Sequence, residues 1–505
     1  MSAKKSAIII GGGLGGLFLG AFLAKNGLQI SVLEKNRIIG GGLQCFVRNK
    51  KMFETGMHVM GGFEHGGSLH KLCNYLGILD SLNIQHVPEE CIDELYFAND
   101  KRSYRIPSGK KNFIEALSRY FPNEAQGIRK YVDALFEITE ELPLFNLNEV
   151  TDSLEIHSEQ FTEPADKLIS RYIVNRDLQN ILAYLNPLYG GVKGHTPAYI
   201  HALINVLFIK GASRFIGGSQ QLADALAGVI KMNGGEVIPD SEVCSINVAD
   251  GKITSLNTVK GLSYSADYVI STIHPAYLSK MLPSGAFRRS YTQRLNEIKN
   301  SCSAFSVYID LKPGSFKYID HTCYHISDSD RIWNQNQYNR SGKIESFMYM
   351  TPPVNQQGEF AEKLLIYAVM DFDEWKRWEH SKLGKRGDDY ESLKLKYQES
   401  ILDKLEESYP GFREKIAGIY TSSPLTIRDY YHTKNGAIFG YLKDSDNLNY
   451  SHIGTRTRIS NLLLAGQNVN MHGICGVPLN ALYTAEQIIG RNQLIREINE
   501  VYNKS

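Results

Sequence analysis

Apolar and polar positions change period along this chain, and the changes mark its elements. Ala7–Ile10 is an unbroken apolar run of strand length, as expected of a strand buried on both faces. Gly15 to Lys25 is apolar over a length that suits a helix, and Gln29–Leu33 returns to a β-like run. Strand, turn, helix and strand in that order predict a parallel α/β unit from Ala7 to about residue 80. A second such block runs from about Gly211 to Pro275. It predicts a helix over Gln221–Met232 stopped by Gly234-Gly235, then strand-like Glu236–Ile238, Val243–Ile246 and Tyr268–Thr272. A third runs from Asn461 to the end, with strand-like Leu462–Ala465 meeting Gly466 and a helix starting after Pro478.

Two insertions of different character separate these blocks. Residues 81–210 are rich in helix formers and aromatics; residues 291–455 mix strand-like runs (Ala304–Leu311, Leu364–Met370) with a charged amphipathic helix. In that helix Tyr390, Leu393, Tyr397, Ile401 and Leu405 recur at helical spacing until Pro410, and its charges read as a solvated face. The expectation is a discontinuous nucleotide-binding domain from 1–80, 211–290 and 456–505, with 81–210 and 291–455 forming an inserted α+β substrate domain.

Composition narrows the function. The 505 residues are 43% hydrophobic and 22% charged with a formal net charge of +1, an ordinary globular balance with no signature of nucleic-acid binding. The seven cysteines are scattered without CxxC spacing, so neither a disulfide framework nor a metal site is expected, and a reducing cytoplasm fits. Lys4 and Lys5 before an apolar run resemble a signal peptide, but six glycines between Gly11 and Gly20 suit a tight turn better than a membrane helix. No other stretch has the ~18 uninterrupted apolar residues of a spanning segment.

The chemistry begins at Gly11-Gly12-Gly13-Leu14-Gly15-Gly16, directly after the apolar strand. Gly11, Gly13 and Gly16 make GxGxxG: a tight turn, a close backbone approach to pyrophosphate, and tight helix–strand packing. The following helix offers free N–H groups to phosphate. Glu34, with Lys35 beside it, ends the next strand near the ~20-residue spacing of a ribose-binding acid. Gly40-Gly41-Gly42 then follows.

A second glycine group after the acid resembles two-dinucleotide-binding FAD proteins more than NAD dehydrogenases, which implies an α/β, Rossmann-like FAD domain. Gly217-Gly218-Ser219 before a helix and Val243 on a strand resemble the part of such proteins that backs the adenine. Leu463-Leu464-Ala465-Gly466-Gln467-Asn468 resembles their last FAD motif, with Asn468 where Asp is usual; an amide still hydrogen-bonds a ribityl hydroxyl. Gly476 and Val477 would lie where the terminal helix aims its positive end at the flavin.

Phe53-Glu54-Thr55-Gly56-Met57-His58-Val59, Pro187-Leu188-Tyr189-Gly190-Gly191, Lys210-Gly211-Ala212 and Ser423-Pro424-Leu425-Thr426 resemble, in order, segments of the phytoene desaturase, carotenoid isomerase and retinol saturase family. Thr-Gly-x-His is nearer the saturase and isomerase branch. Glu54 replaces the usual Asp, and Gln44 stands where saturases tend to have His. The resemblance implies an FAD enzyme acting on C–C double bonds of a polyene, isoprenoid or retinoid-like substrate. It implies that Met57 and His58 lie against the flavin ring, with His58 the candidate proton donor and a structural histidine its alternative.

Cys475, His195, His201 and His274 read as packing or structural residues, and Tyr184, Tyr189, Tyr199, Phe208 and Phe215 as possible channel aromatics that are more often core. No second strand-flanked GxGxxG is present, so electrons come from a separate donor or acceptor, or the reaction is redox-neutral. An apolar substrate and a cytoplasmic location with peripheral membrane contact follow. The competing readings are a flavin amine oxidase and a flavin-free prenyl-binding chaperone; Glu34 and Gly40-Gly41 weigh against the chaperone.

Overall fold

The computed structural model describes residues 4–150, 157–354 and 358–504. Its centre is a five-stranded parallel sheet in the order Leu462–Leu464, Tyr268–Ser271, Ser6–Ile10, Gln29–Leu33, Glu236–Ile238. The three sequence blocks therefore meet in one sheet. Successive side chains of a strand face opposite ways, and both faces here are apolar. Ala7 and Ile9 pack with Leu17, Leu226 and Leu482, in the helices Leu14–Lys25, Gln220–Met232 and Gly473–Ile489. Ile8 and Ile10 pack instead with Val243, Ile246 and Leu256 of an antiparallel ribbon, Val243–Ala249, Lys252–Thr258 and Ser263–Tyr264. The strand expected at Val243 thus belongs to this ribbon and not to the central sheet.

A seven-stranded sheet stands beside it, in the order Ile416–Ser422, Ser303–Leu311, Lys363–Met370, Phe347–Met350, Thr322–Ile326, Asp93–Phe97, Arg102–Ile106. Only Thr322–Ile326 with Asp93–Phe97 pairs in parallel; the other neighbours are antiparallel. Phe305, Val307, Leu364 and Ile366 bury one face against Trp375, Tyr397 and Ile401, the last two on the amphipathic helix Asp388–Ser408. The alternate residues Ala304, Ser306, Tyr367 and Val369 turn to a cavity on the other face. Helices from 110–210 close the cavity from the far side, with Ala198–Lys210 contributing Ile204, Leu207 and Phe208.

The hairpin Cys45–Arg48 and Lys51–Glu54 ties the two sheets together. Lys51 Nζ lies 2.5 Å from Asp310 Oδ1, and Lys363 Nζ lies 3.3 Å from Glu54 Oε2, both Lys363 and Glu54 being buried. Among the described residues no helix is long and apolar enough to cross a membrane.

Candidate functional site: a dinucleotide cradle opening into an apolar cavity

The strand Ser6–Ile10 runs out into Gly11, whose φ of +105° favours glycine and whose added Cβ would sit 2.6 Å from Thr272 Oγ1. A Cβ on Gly16 would come within 1.9 Å of the Gly11 carbonyl oxygen, so the helix Leu14–Lys25 packs on the strand only because that position is bare. Gly13 caps this helix without a side-chain hydrogen bond, and its first turn holds no acid. Its leading N–H groups are thus free to meet an anion. From the other side the Gly40 N–H donates to the Gly12 carbonyl at 2.7 Å, and a Cβ on Gly41 would lie 3.1 Å from the Gly13 Cα. Two glycine loops touch backbone to backbone, with no side chain between them and the cavity.

That cavity encloses about 410 Å³. It brings together Gly11, Gly13, Leu14, Gly15, Glu34, Lys35, Gly41, Gly42, Met57, His58, Val243, Gly466, Asn468, Gly476 and Val477. Gly16 and Gly40 stand just behind the wall as packing glycines. Glu34 accepts the Gly12 N–H on one carboxylate oxygen and the Asn36 N–H on the other, each at 2.8 Å. Burial raises its pKa while those N–H groups pull it down. Burial lowers the Lys35 ammonium, which donates to the Asp429 carbonyl at 2.7 Å. Asn468 Oδ1 accepts the Tyr441 N–H at 3.2 Å, leaving its amide donors for a ligand hydroxyl, a capacity the usual Asp would lack.

The terminal helix begins at Gly473, five residues ahead of the start expected at Pro478, which lies inside it. Pro478 lacks the N–H that would meet the Ile474 carbonyl, yet the helix continues across that lost bond. Its first turn also lacks an acid or a side-chain cap. A Cβ on Gly15 would strike Val477 Cγ1 at 3.0 Å, so the two ends of the chain meet at bare backbone.

Beyond the cradle the walls turn apolar. His58 follows the hairpin on an irregular segment and is half-buried, its exposed part lying within the cavity. Its Nδ1 is sealed from solvent without a hydrogen-bond partner among the described residues, and desolvation, only partly offset by the Val59 backbone, pushes the imidazole down to about 4, so the ring is neutral at pH 7. His472 repeats the pattern, with Nε2 sealed and without a hydrogen-bond partner among the described residues and the ring pushed down to about 4 by burial. Tyr431 places its hydroxyl 3.2 Å from Thr55 Oγ1; a Cβ on Gly56 would reach that hydroxyl at 3.0 Å. Burial raises the phenol to about 12. His472, Tyr324 and Tyr431 line the cavity with no local pattern to mark them, whereas alternation along Lys363–Met370 marks Tyr367.

Of the five aromatics considered for the channel only Phe208 lines it. Tyr184 instead donates to Asp93 Oδ2 at 2.7 Å, Tyr189 pairs with His201 Nδ1 at 2.9 Å, Tyr199 stacks on Phe161, and Phe215 meets Phe63 edge-on. His201 also bonds the Tyr131 hydroxyl at 2.6 Å, and His274, which reaches the cavity wall, bonds Asn300 Oδ1 at 2.8 Å. His195 makes partly exposed contacts with Asp444 and Asp446. Cys475 donates its thiol to the Gly61 carbonyl at 3.1 Å, and burial keeps it protonated.

A model of flavin containing amine oxidoreductases matches residues 14–309, more than half of the sequence. The chain belongs to this flavin oxidoreductase family. It is an FAD-dependent enzyme, and the acid-free helix start, the paired glycine loops and the Asn468 amide are the features that fit FAD. All-trans-retinol 13,14-reductase of Macaca fascicularis is 26% identical to this flavin oxidoreductase over 535 residues, covering 97% of this chain and 86% of that protein. Prolycopene isomerase 1 of an Oncidium hybrid cultivar is 24% identical over 459 residues, covering 85% and 74%. A solved oxidoreductase from Methanosarcina mazei shares the fold, with a TM-score of 0.64 at 17% identity over 95% of this chain and 100% of that one.

Proposed function

We propose that this flavin oxidoreductase acts on a carbon–carbon double bond of a long apolar polyene, isoprenoid or retinoid-like molecule, as a saturase, isomerase or desaturase. One observation carries the reading. Past the glycine cradle the cavity is walled by Leu188, Ile204, Leu207, Phe208, Phe347 and Met348, and the carboxyl and ammonium side chains of its lining, Glu34, Lys35 and Glu242, all belong to the cradle end. Such a wall rewards apolar surface at about 25 cal/mol per Å² and itself holds no carboxylate. The names of the reductase and the isomerase point the same way.

FAD, when bound, supplies the hydride-level chemistry. The chain binds it at the glycine loops, excludes water with the apolar wall, and holds His58 beside the reacting region. Because burial keeps His58 neutral, it donates and accepts hydrogen bonds at pH 7; it becomes a proton donor as an imidazolium only when a negative charge in the cavity lifts its pKa. In this reading electrons pass to or from a separate partner protein or small carrier, and the enzyme meets its substrate at a membrane surface without spanning it. Liposome flotation tests that last point, with no retention on any lipid composition counting against it.

The decisive assay is anaerobic. The flavin is reduced chemically, candidate polyenes or retinoids are added, and flavin reoxidation is followed together with the substrate spectrum. Stoichiometric reoxidation with loss of one double bond marks a saturase. Changed geometry with the flavin still reduced marks an isomerase. Flavin reduction by amines, with none of the polyene reactions, would replace this reading by the amine oxidase.

A further inference from the structure

Four described residues in the wall of the main cavity are exposed, Gly42, Gly56, Glu242 and Tyr430, and all lie at its cradle end. A Cβ on Gly42 or Gly56 would lie 3.6 or 3.0 Å from the same Tyr431 hydroxyl, next to the contact between Gly41 and Gly13. The Tyr430 carbonyl accepts from the Asn36 amide at 3.1 Å, and Ser241, beside Glu242, donates its N–H to the Glu34 carbonyl at 2.8 Å. At the apolar end Leu188, Leu207, Phe208, Phe347 and Met348 are all buried. FAD held at the glycine loops occupies the open end. A substrate of the loaded enzyme therefore needs a second route to the apolar end.

A second cavity, of about 210 Å³, lies where that route is needed. It shares Pro187, Gln335 and Val369 with the first, so these three form a neck between the two. The neck belongs to the apolar end: Pro187 precedes Leu188, and Val369 faces the same way as Tyr367 along the strand Lys363–Met370. None of the glycine-loop residues, nor Glu34, lines the second cavity. Away from the neck its wall reaches the surface, where Asp371, Asp373 and Asn435 are exposed. This mouth is built from separate elements. Asp371 directly follows the strand, Asn336 on the short helix Gln335–Tyr338 donates to it at 2.7 Å, and Leu442 lines the space from a distant part of the chain. The described lining holds two carboxylates and no lysine, arginine or histidine.

We infer that this second cavity is the passage by which an apolar substrate enters and leaves the FAD-loaded enzyme, and that Asp371 and Asp373 make its mouth a charge filter that slows anionic amphiphiles. The inference rests on the double-bond reading above and adds the route and its selectivity. A passage differs from a binding subsite in what it controls. An obstacle in it raises the barrier by the same amount in both directions, so association and dissociation slow together and the dissociation constant stays. Charge at the mouth acts likewise on the encounter: two carboxylates repel an approaching anion over a Debye length, about 8 Å at physiological salt, and leave a neutral molecule alone.

The test uses the oxidised holoenzyme and the fluorescent triene diphenylhexatriene, with its carboxylate-bearing and trimethylammonium-bearing analogues. Stopped-flow fluorescence gives association and dissociation rates. Leu442→Trp, which fills the mouth, should slow both rates of diphenylhexatriene by roughly tenfold while its dissociation constant and the flavin content hold. Asn336→Trp fills it from another element and serves if the first variant folds poorly. In wild type the carboxylate analogue should associate more slowly than the trimethylammonium one at low salt. That gap should close at ~1 M salt, where the Debye length is about 3 Å. Asp371→Asn with Asp373→Asn should speed the carboxylate analogue severalfold and leave diphenylhexatriene unchanged. Rates unchanged in both tryptophan variants, or a dissociation constant that shifts with association unaltered, overturn the passage. A carboxylate rate unchanged in the double asparagine variant overturns the filter. If diphenylhexatriene binds and the tryptophan variants do not slow it, the double-bond reading stands and only the passage falls; if it does not bind wild type at all, both fall.

Discussion

Gly13 is the position at which cofactor binding and folding come apart. A Cβ there would meet only the Gly41 Cα, at 3.8 Å, and its φ of −79° is open to any residue. Gly13→Leu therefore leaves the protein's own packing undisturbed; its cost to the fold is the weaker helix cap, about 1 kcal/mol. The new side chain enters the cavity where Gly13 bares its backbone. Gly16 behaves oppositely. Its Cβ would lie 1.9 Å from the Gly11 oxygen, far inside the ~3.3 Å at which carbon and oxygen ordinarily meet, so Gly16→Ala must lift the helix off the strand at about 3 kcal/mol or more. The assay pairs flavin content per chain with thermal unfolding, using flavin-free wild type as the reference. Gly13→Leu should purify colourless and melt close to flavin-free wild type. It should gain nothing from added FAD, whereas the wild type gains about 4 kcal/mol when FAD stands a thousandfold above its dissociation constant. Gly16→Ala should lose both flavin and stability. A yellow Gly13→Leu with full occupancy would refute the placement of the cofactor, and one melting far below flavin-free wild type would refute the steric argument.

Three further outcomes follow from the same geometry. If imidazolium at His58 is the proton donor, the single-turnover rate with a confirmed polyene rises as pH falls toward about 4, and His58→Gln lowers the rate by roughly 10²–10⁴-fold and flattens the profile while retaining flavin; a flat wild-type profile removes the acid role. Burial holds His58, His274, His325, His432 and His472 near 4 and His201 near 3, below the 6.5 of an unfolded chain, so the unfolded state takes up protons first as pH drops. The contribution of these six is thus complete above about pH 6.5 and declines toward pH 4, outnumbering Asp93, which burial lifts to about 7, and His321, whose hydrogen bonds raise it to about 11 despite burial, both of which act in the opposite sense; an unchanged urea midpoint between pH 7 and pH 5 would contradict this. Lys363→Met strands the buried Glu54 carboxylate and should cost about 3–5 kcal/mol in urea unfolding, most of it recovered when Glu54→Gln is added; a double variant as unstable as the single one would show that the lysine matters for another reason.

What could be read from the sequence was what local sterics dictate. Gln29–Leu33 and Glu236–Ile238 form strands at the expected residues, and Gly11, Gly13 and Gly16 occupy the turn, the cavity wall and the helix contact that their spacing implies. Each of those requirements is met within a few residues of chain. The seven-stranded sheet was not readable as one object, because Asp93–Phe97 finds its parallel partner at Thr322–Ile326, across an entire nucleotide-binding segment. A pairing over that distance leaves no local mark on either strand. The same limit explains the aromatics. Alternation along Lys363–Met370 says that Ile366 and Tyr367 face opposite ways, but which face meets the helix Asp388–Ser408 and which meets the cavity is decided by a layer elsewhere in the chain. Tyr184 and Tyr189 were equally plausible on composition, yet Asp93 and His201 draw them into the core. His58 shows the limit most sharply. Its position beside the cradle follows from a local motif, whereas its charge follows from how deeply the assembled fold buries it. A residue can therefore be placed in a cavity wall from sequence while its protonation state, which decides what it can do there, waits on the assembled walls.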